Sequence, residues 1–111
     1  MMHILFDHGM PRGLARLLGG HTVRLVREQG WDTLSNGELL TAAEDAGFHV
    51  LITTGKNLPY QQNLAGRKIA VVVLGSGRWR LIEPMGPQIA SAINRAKPGS
   101  HILVDIPLAG E

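Results

Sequence analysis

The sequence predicts an α/β protein, with a mostly parallel sheet of about five strands and helices on both faces. Three observations carry this expectation. Short apolar runs alternate with helix-period segments along the chain, the pattern of parallel strands joined by crossover helices. The run from Ile69 to Leu74 is apolar on both strand faces, as a strand covered from both sides must be. The chain has 111 residues, 44% of them hydrophobic, which suits a single domain over residues 1–111 with one modest core.

Each element follows from its residues. Ile4-Leu5-Phe6 reads as a buried strand ending at Asp7. Met10 to Leu18 reads as a helix, with Pro11 in its first turn, where a missing N–H costs nothing, and Leu14, Leu17 and Leu18 on one face. Gly19-Gly20 stops it. Thr22 to Val26 is a short strand, and the stretch from Glu28 to Leu34 reads as a turn or brief helix. Ser35-Asn36-Gly37-Glu38 matches a capping box ahead of a helix carrying Leu39, Leu40, Ala43 and Ala46. His49 to Thr53 is a β-branched strand, followed by the loop Thr54 to Asn57 and a short helix within Pro59 to Leu64. After the strand Ile69 to Leu74 come the turn Gly75-Ser76-Gly77, a helical turn within Arg80 to Pro84, and a helix from Gly86 to Ala96. Ile102, Val104 and Ile106 alternate in a last strand, and Leu108 to Glu111 reads as a loose tail. Right-handed crossovers are expected throughout.

Composition excludes several classes. There are no cysteines, so disulfides, cysteinyl zinc sites, iron–sulfur clusters and a thiol nucleophile are ruled out. The longest apolar run is far too short to span a bilayer, and the first residues lack the basic flank of a signal peptide, so no membrane association and a cytoplasmic location are expected. The formal charge of +2 permits nucleic-acid binding without arguing for it. There is no Walker loop, dinucleotide fingerprint or HExxH zinc signature.

In parallel α/β sheets, chemistry sits at the carboxyl ends of strands. Asp7 is the one acid that directly follows a buried strand. It reads as a metal-binding carboxylate or as a residue bonding nearby amides. Glu38 has two readings: a carboxylate reaching across to share a divalent cation with Asp7, or the acid of the capping box. His8 follows Asp7; the other histidines are scattered, with no pairing at i+4. Lys56 sits in a strand-end loop and could neutralise phosphate or pair with Asp7. Arg78-Trp79-Arg80 could hold phosphates and stack a base, although a helix start with Trp79 in the core is the favoured reading. Arg67-Lys68 reads as a solvated turn. Met10, Trp31 and Met85 are candidate exposed apolar residues for a homodimer.

Asp7, the segment Asn36-Gly37-Glu38-Leu39-Leu40-Thr41-Ala42-Ala43 and the segment Val50-Leu51-Ile52-Thr53-Thr54-Gly55-Lys56-Asn57-Leu58 together resemble the compact PIN-like domains, small relatives of VapC-type toxin ribonucleases. The continuation from Asn57 to Arg67 looks like a signature of one branch, and the resemblance covers about Ile4 to Ile106. It implies a PIN-like three-layer sandwich and a cluster of acids at the strand ends that binds Mg²⁺ or Mn²⁺ and activates water to cleave single-stranded RNA. Carried over residue by residue, it makes Asp7 and Glu38 catalytic. It makes Asp7, Glu38 and Asn36 metal ligands, Asn36 through its carbonyl where many relatives have an acid. Lys56, Asn57, Arg78 and Arg80 are the expected substrate-binding residues. Gly55 departs from the pattern, standing where relatives place an aspartate; Asp32 or Glu83 are the acids available to compensate. The expected function is a metal-dependent ribonuclease, as in the toxin of a toxin–antitoxin pair, with RNA and an antitoxin as partners. The alternative is a non-catalytic RNA- or protein-binding module of the same fold.

Overall fold

A computed structural model describes residues 1–107; the tail read at 108–111 lies outside the described residues. Five strands form: β1 (His3–Phe6), β2 (Thr22–Leu25), β3 (Val50–Thr53), β4 (Ala70–Leu74) and β5 (His101–Val104). They make one sheet in the order β2-β1-β3-β4-β5, and every neighbouring pair is parallel, so the expected mostly parallel sheet is wholly parallel. Ile4 lies opposite Val23 on one side and Val50 on the other. Every residue of β3 and β4 is buried, which explains their apolar, β-branched sequences, broken only by Thr53 at the end of β3.

Alternate side chains divide the core in two. Ile4, Phe6, Val50, Ile52, Val72, Leu74 and Val104 point to one face. That face is covered by a 3₁₀ helix at Arg12–Leu18, by α3 (Trp79–Ile82) and by α4 (Gly86–Arg95), which brings Ile89, Ala92 and Ile93. Leu5, Leu51, Val71 and Val73 point to the other face, beneath Leu39, Leu40 and Ala43 of α1 (Asn36–Asp45) and Leu58 of α2 (Leu58–Gln61). The result is a three-layer α/β sandwich.

The first connection differs from expectation: Arg12–Leu18 is 3₁₀, not an α-helix from Met10. Gly13 is the physical reason. A Cβ at position 13 would lie 2.8 Å from the Trp79 ring, so the segment packs close under that ring through a residue that disfavours helix. Trp79 is thereby part of the core, as the favoured reading had it. Met10 is buried rather than exposed, and Trp31 and Met85 pack half-buried against the two clusters, so these three do not form a free apolar surface. Arg67 is not in a solvated turn: its Nη1 pairs with Glu44 Oε1 at 2.6 Å and bonds Thr41, while Lys68 N–H donates to Glu44 Oε2 at 3.1 Å. Partial burial pushes the Glu44 carboxyl up, but the Arg67 and Lys68 bonds and charges outweigh it and hold the pKa below the usual value.

The crossovers do not all share one hand. The chain steps from β1 to β2 across the first face, then from β2 to β3 and from β3 to β4 across the other face in the opposite direction; these three connections have the same hand. The step from β4 to β5 keeps the direction of the previous two but returns over the first face, so its hand is opposite. Right-handed connections make up roughly 98% of such units, which marks the last one as the exception. The pattern of β5 accounts for it. Its apolar Ile102 and Val104 point to the first face, whereas His101 and Leu103 point outward and are exposed. Helix α4 follows the apolar side.

Candidate functional site

Strand β1 has β2 on one side and β3 on the other, so chain order reverses at its carboxyl end. Open parallel sheets bind ligands outside the strand ends at such a reversal. Asp7 stands there. Its N–H donates to the Ile52 carbonyl at 2.9 Å and so extends the β1–β3 ladder by one residue. Gly9, at φ +77°, lets the chain turn back so that buried Met10 can dock. Both carboxylate oxygens of Asp7 are held: Oδ1 accepts from the His8 N–H and Oδ2 from the Thr53 hydroxyl, each at 2.8 Å. Thr53 Oγ1 in turn accepts from the Gly55 N–H at 3.0 Å. Thr53 is 1% exposed, and among the described residues it is the buried polar side chain of the core.

Glu38 is exposed in the first turn of α1 and completes a capping box: its Oε1 accepts from Ser35 N–H at 3.0 Å, and its own N–H donates to Ser35 Oγ at 3.3 Å. Hydrogen bonds from Ser35, backbone first and side chain second, hold the Glu38 carboxyl below its usual pKa. Of the two readings, the geometry displays the capping one. Glu38 lines a hollow with Thr41, Asp45 and Arg67, whereas Asp7 lines another with His8, Arg12 and Arg27. Asn36 is the exposed first residue of α1, with no side-chain hydrogen bond among the described residues.

Lys56 and Asn57 are exposed in the loop after β3, where Asn57 caps α2 through its backbone carbonyl, and Lys56 makes no ion pair with Asp7. Arg78 and Arg80 are exposed beyond β4, on either side of inward-packed Trp79. Neither Asp32 nor Glu83 lines the Asp7 hollow; the Asp32 carbonyl instead meets His8 Nε2 at 3.2 Å. Gly55 has ordinary backbone geometry, and a Cβ there would sit 3.3 Å from Thr53 Oγ1, the atom that bonds Asp7. A side chain at position 55 would therefore begin beside the hydroxyl that fastens Asp7.

The donor set does not make a protein-built metal centre. Among the described residues no group of three His, Asp or Glu side chains is placed to hold an ion; Asp7 stands at the strand reversal, and Glu28, which lines the same hollow, has its Oε1 bonded to the Leu25 N–H. Three residues at this edge escape a linear reading. Thr53 looks like one more β-branched strand residue. Arg12 and Arg27 come together only because β2 pairs with β1. The signal available for Thr53 was a hydroxyl closing an otherwise apolar run at a strand's carboxyl end.

Comparison with family models, curated proteins and solved structures finds no match to the chain. Among the described residues no helix is long and apolar enough to cross a membrane.

Proposed function

We propose that the chain is a PIN-like domain that engages single-stranded RNA at the carboxyl edge of its sheet, with a cleavage centre one acid short of a working metal site. The observation that carries this reading is the placement of Asp7 at the reversal point, fastened by Thr53, whose hydroxyl also lies 3.3 Å from where a Cβ at position 55 would stand. The wholly parallel α/β sheet supports it, as do the exposed cations Lys56 and Arg78 on the loops after β3 and β4 and Arg80 at the start of α3. A divalent ion held only by Asp7 would depend on substrate oxygens for most of its shell. Glu38 is occupied in capping α1 and contributes nothing to that shell as placed.

The second reading, a Mg²⁺- or Mn²⁺-dependent ribonuclease active as it stands, is favoured by Asp7 itself, since one or two carboxylates plus phosphate oxygens are the usual protein share of a Mg²⁺ site. One experiment separates the two. Single-stranded RNA is incubated in Mn²⁺ with the wild-type protein, Asp7→Asn and Gly55→Asp, each with an EDTA control. The proposal expects no cleavage by the wild type and EDTA-sensitive cleavage by Gly55→Asp. Wild-type cleavage that Asp7→Asn abolishes establishes the second reading instead. Absence of both cleavage and RNA binding in every variant overturns both.

A further inference from the structure

A phosphate brought next to Asp7 meets a carboxylate, so a site that accepts it must supply positive charge at short range. The cations read from the sequence lie beyond β3 and β4. The hollow that opens beside Asp7 lies on the other side, between the ends of β1 and β2. Its volume is about 190 Å³, and its polar lining is Asp7, His8, Arg12, Arg27 and Glu28. Arg12 and Arg27 come from different connections, yet both exposed residues line it. Neither has a carboxylate partner: the ion pair found among the described residues is Arg67–Glu44. Glu28 is turned toward the end of β2, its Oε1 accepting from the Leu25 N–H at 2.9 Å. The N–H groups of Gly9, Arg27 and Glu28, all lining residues, donate to no protein atom among the described residues. Pockets for drug-sized ligands run from roughly 300 to 1,000 Å³, so this hollow suits one small group rather than a whole nucleotide. A second hollow of about 180 Å³ adjoins it at Arg12 and Glu28 and is walled by Ala15 and Val23, an apolar rest for whatever carries the group.

We infer that the cleft between the β1 and β2 ends is a phosphate seat, with Arg12 and Arg27 as its cationic ligands. Guanidinium forks match phosphate oxygens in pairs, and two of them offset the charges of Asp7 and Glu28 in the same lining. The inference deepens the RNA-binding reading by naming the groups that take the phosphate. Only its oligonucleotide arm rests on that reading.

The test is run in EDTA throughout. Inorganic phosphate is titrated against ¹⁵N-labelled protein at constant ionic strength. Amide shifts confined to His8, Gly9, Arg12 and Arg27 are expected, lost in Arg12→Gln/Arg27→Gln and kept in Arg16→Gln, an exposed control outside the cleft. Shifts that are absent, scattered over the surface or retained in the double variant overturn the inference. Short single-stranded RNA, with a 5′-phosphate or a 5′-hydroxyl, forms the second arm. The double variant should weaken binding about tenfold or more and lower the salt slope by about 0.7, one phosphate contact's worth on a single strand, while Arg16→Gln leaves both unchanged. Tighter binding of the 5′-phosphorylated RNA identifies a terminal phosphate as the occupant; equal binding identifies an internal diester. RNA affinity equal in the double variant and the wild type sinks the phosphate seat and leaves the RNA-binding reading standing. Phosphate shifts in a protein that binds no RNA do the reverse.

Discussion

Thr53 shows how much a single hydroxyl holds at the sheet's carboxyl edge. It donates to Asp7 and accepts from Gly55, so it joins the β1 terminus to the loop after β3 in two bonds. Thr53→Val keeps the shape and removes both bonds, leaving the Gly55 N–H and one Asp7 oxygen without their partner. Each of these partly buried bonds contributes about 0.5–1.5 kcal/mol, so a drop of about 1–3 kcal/mol is expected in urea denaturation. A loss below about 0.5 kcal/mol would mean that water replaces the hydroxyl and that Asp7 is not fastened from this side. The sequence marks Asp7 readily, because an acid directly after Ile4-Leu5-Phe6 breaks an apolar run. It hides Thr53, because threonine is an ordinary strand residue and the bond to Asp7 spans 46 positions.

Helix α1 was the most legible element, since the capping box is a local pattern and Ser35 to Glu38 realises it in full. The same locality decides how Glu38 spends its carboxylate. Its folded-state pKa lies below the ordinary value of 4.5, so its contribution to stability is complete above that pH and disappears as pH falls through the lower folded value. Urea midpoints measured from neutral pH down to about pH 3 should therefore show a steeper acid decline in the wild type than in Glu38→Gln. Ser35→Ala should lose about 1 kcal/mol at neutral pH and flatten the same decline. Unchanged acid slopes in both variants would remove the capping role and free Glu38 for the cation-sharing alternative. The first helix was less legible. Leu14, Leu17 and Leu18 fit a helical period, but the tertiary approach of Trp79 to Gly13 tightens the segment to 3₁₀, and no nearby residue announces that contact.

Across the whole molecule, alternation of strands and helices was enough to expect five parallel strands, whereas their lateral order was not readable, because it depends on which faces the connections cross. The alternating pattern of β5 held a further clue: with Ile102 and Val104 inward, the last crossover had to return over the first face. That choice leaves Leu103 62% exposed, although its ladder neighbour Val73 is buried. Leu103→Lys should then change stability by no more than about 0.5 kcal/mol, while Leu51→Ala, on the same side of the sheet but beneath α1, should cost about 2–5 kcal/mol in the same denaturation assay. A large loss from Leu103→Lys would mean that something covers β5 in solution. The inner position of β1 bears on biosynthesis. The first strand made can gain β2 as a neighbour early, but its other neighbour, β3, is completed only with Thr53, 46 residues after Asp7. At typical elongation rates of 5–20 residues per second, that is a wait of about 2–9 s, during which an apolar strand has one edge open on the ribosome. A nascent chain of this design depends on the speed of translation, or on a chaperone, to bring its first strand safely to its second partner.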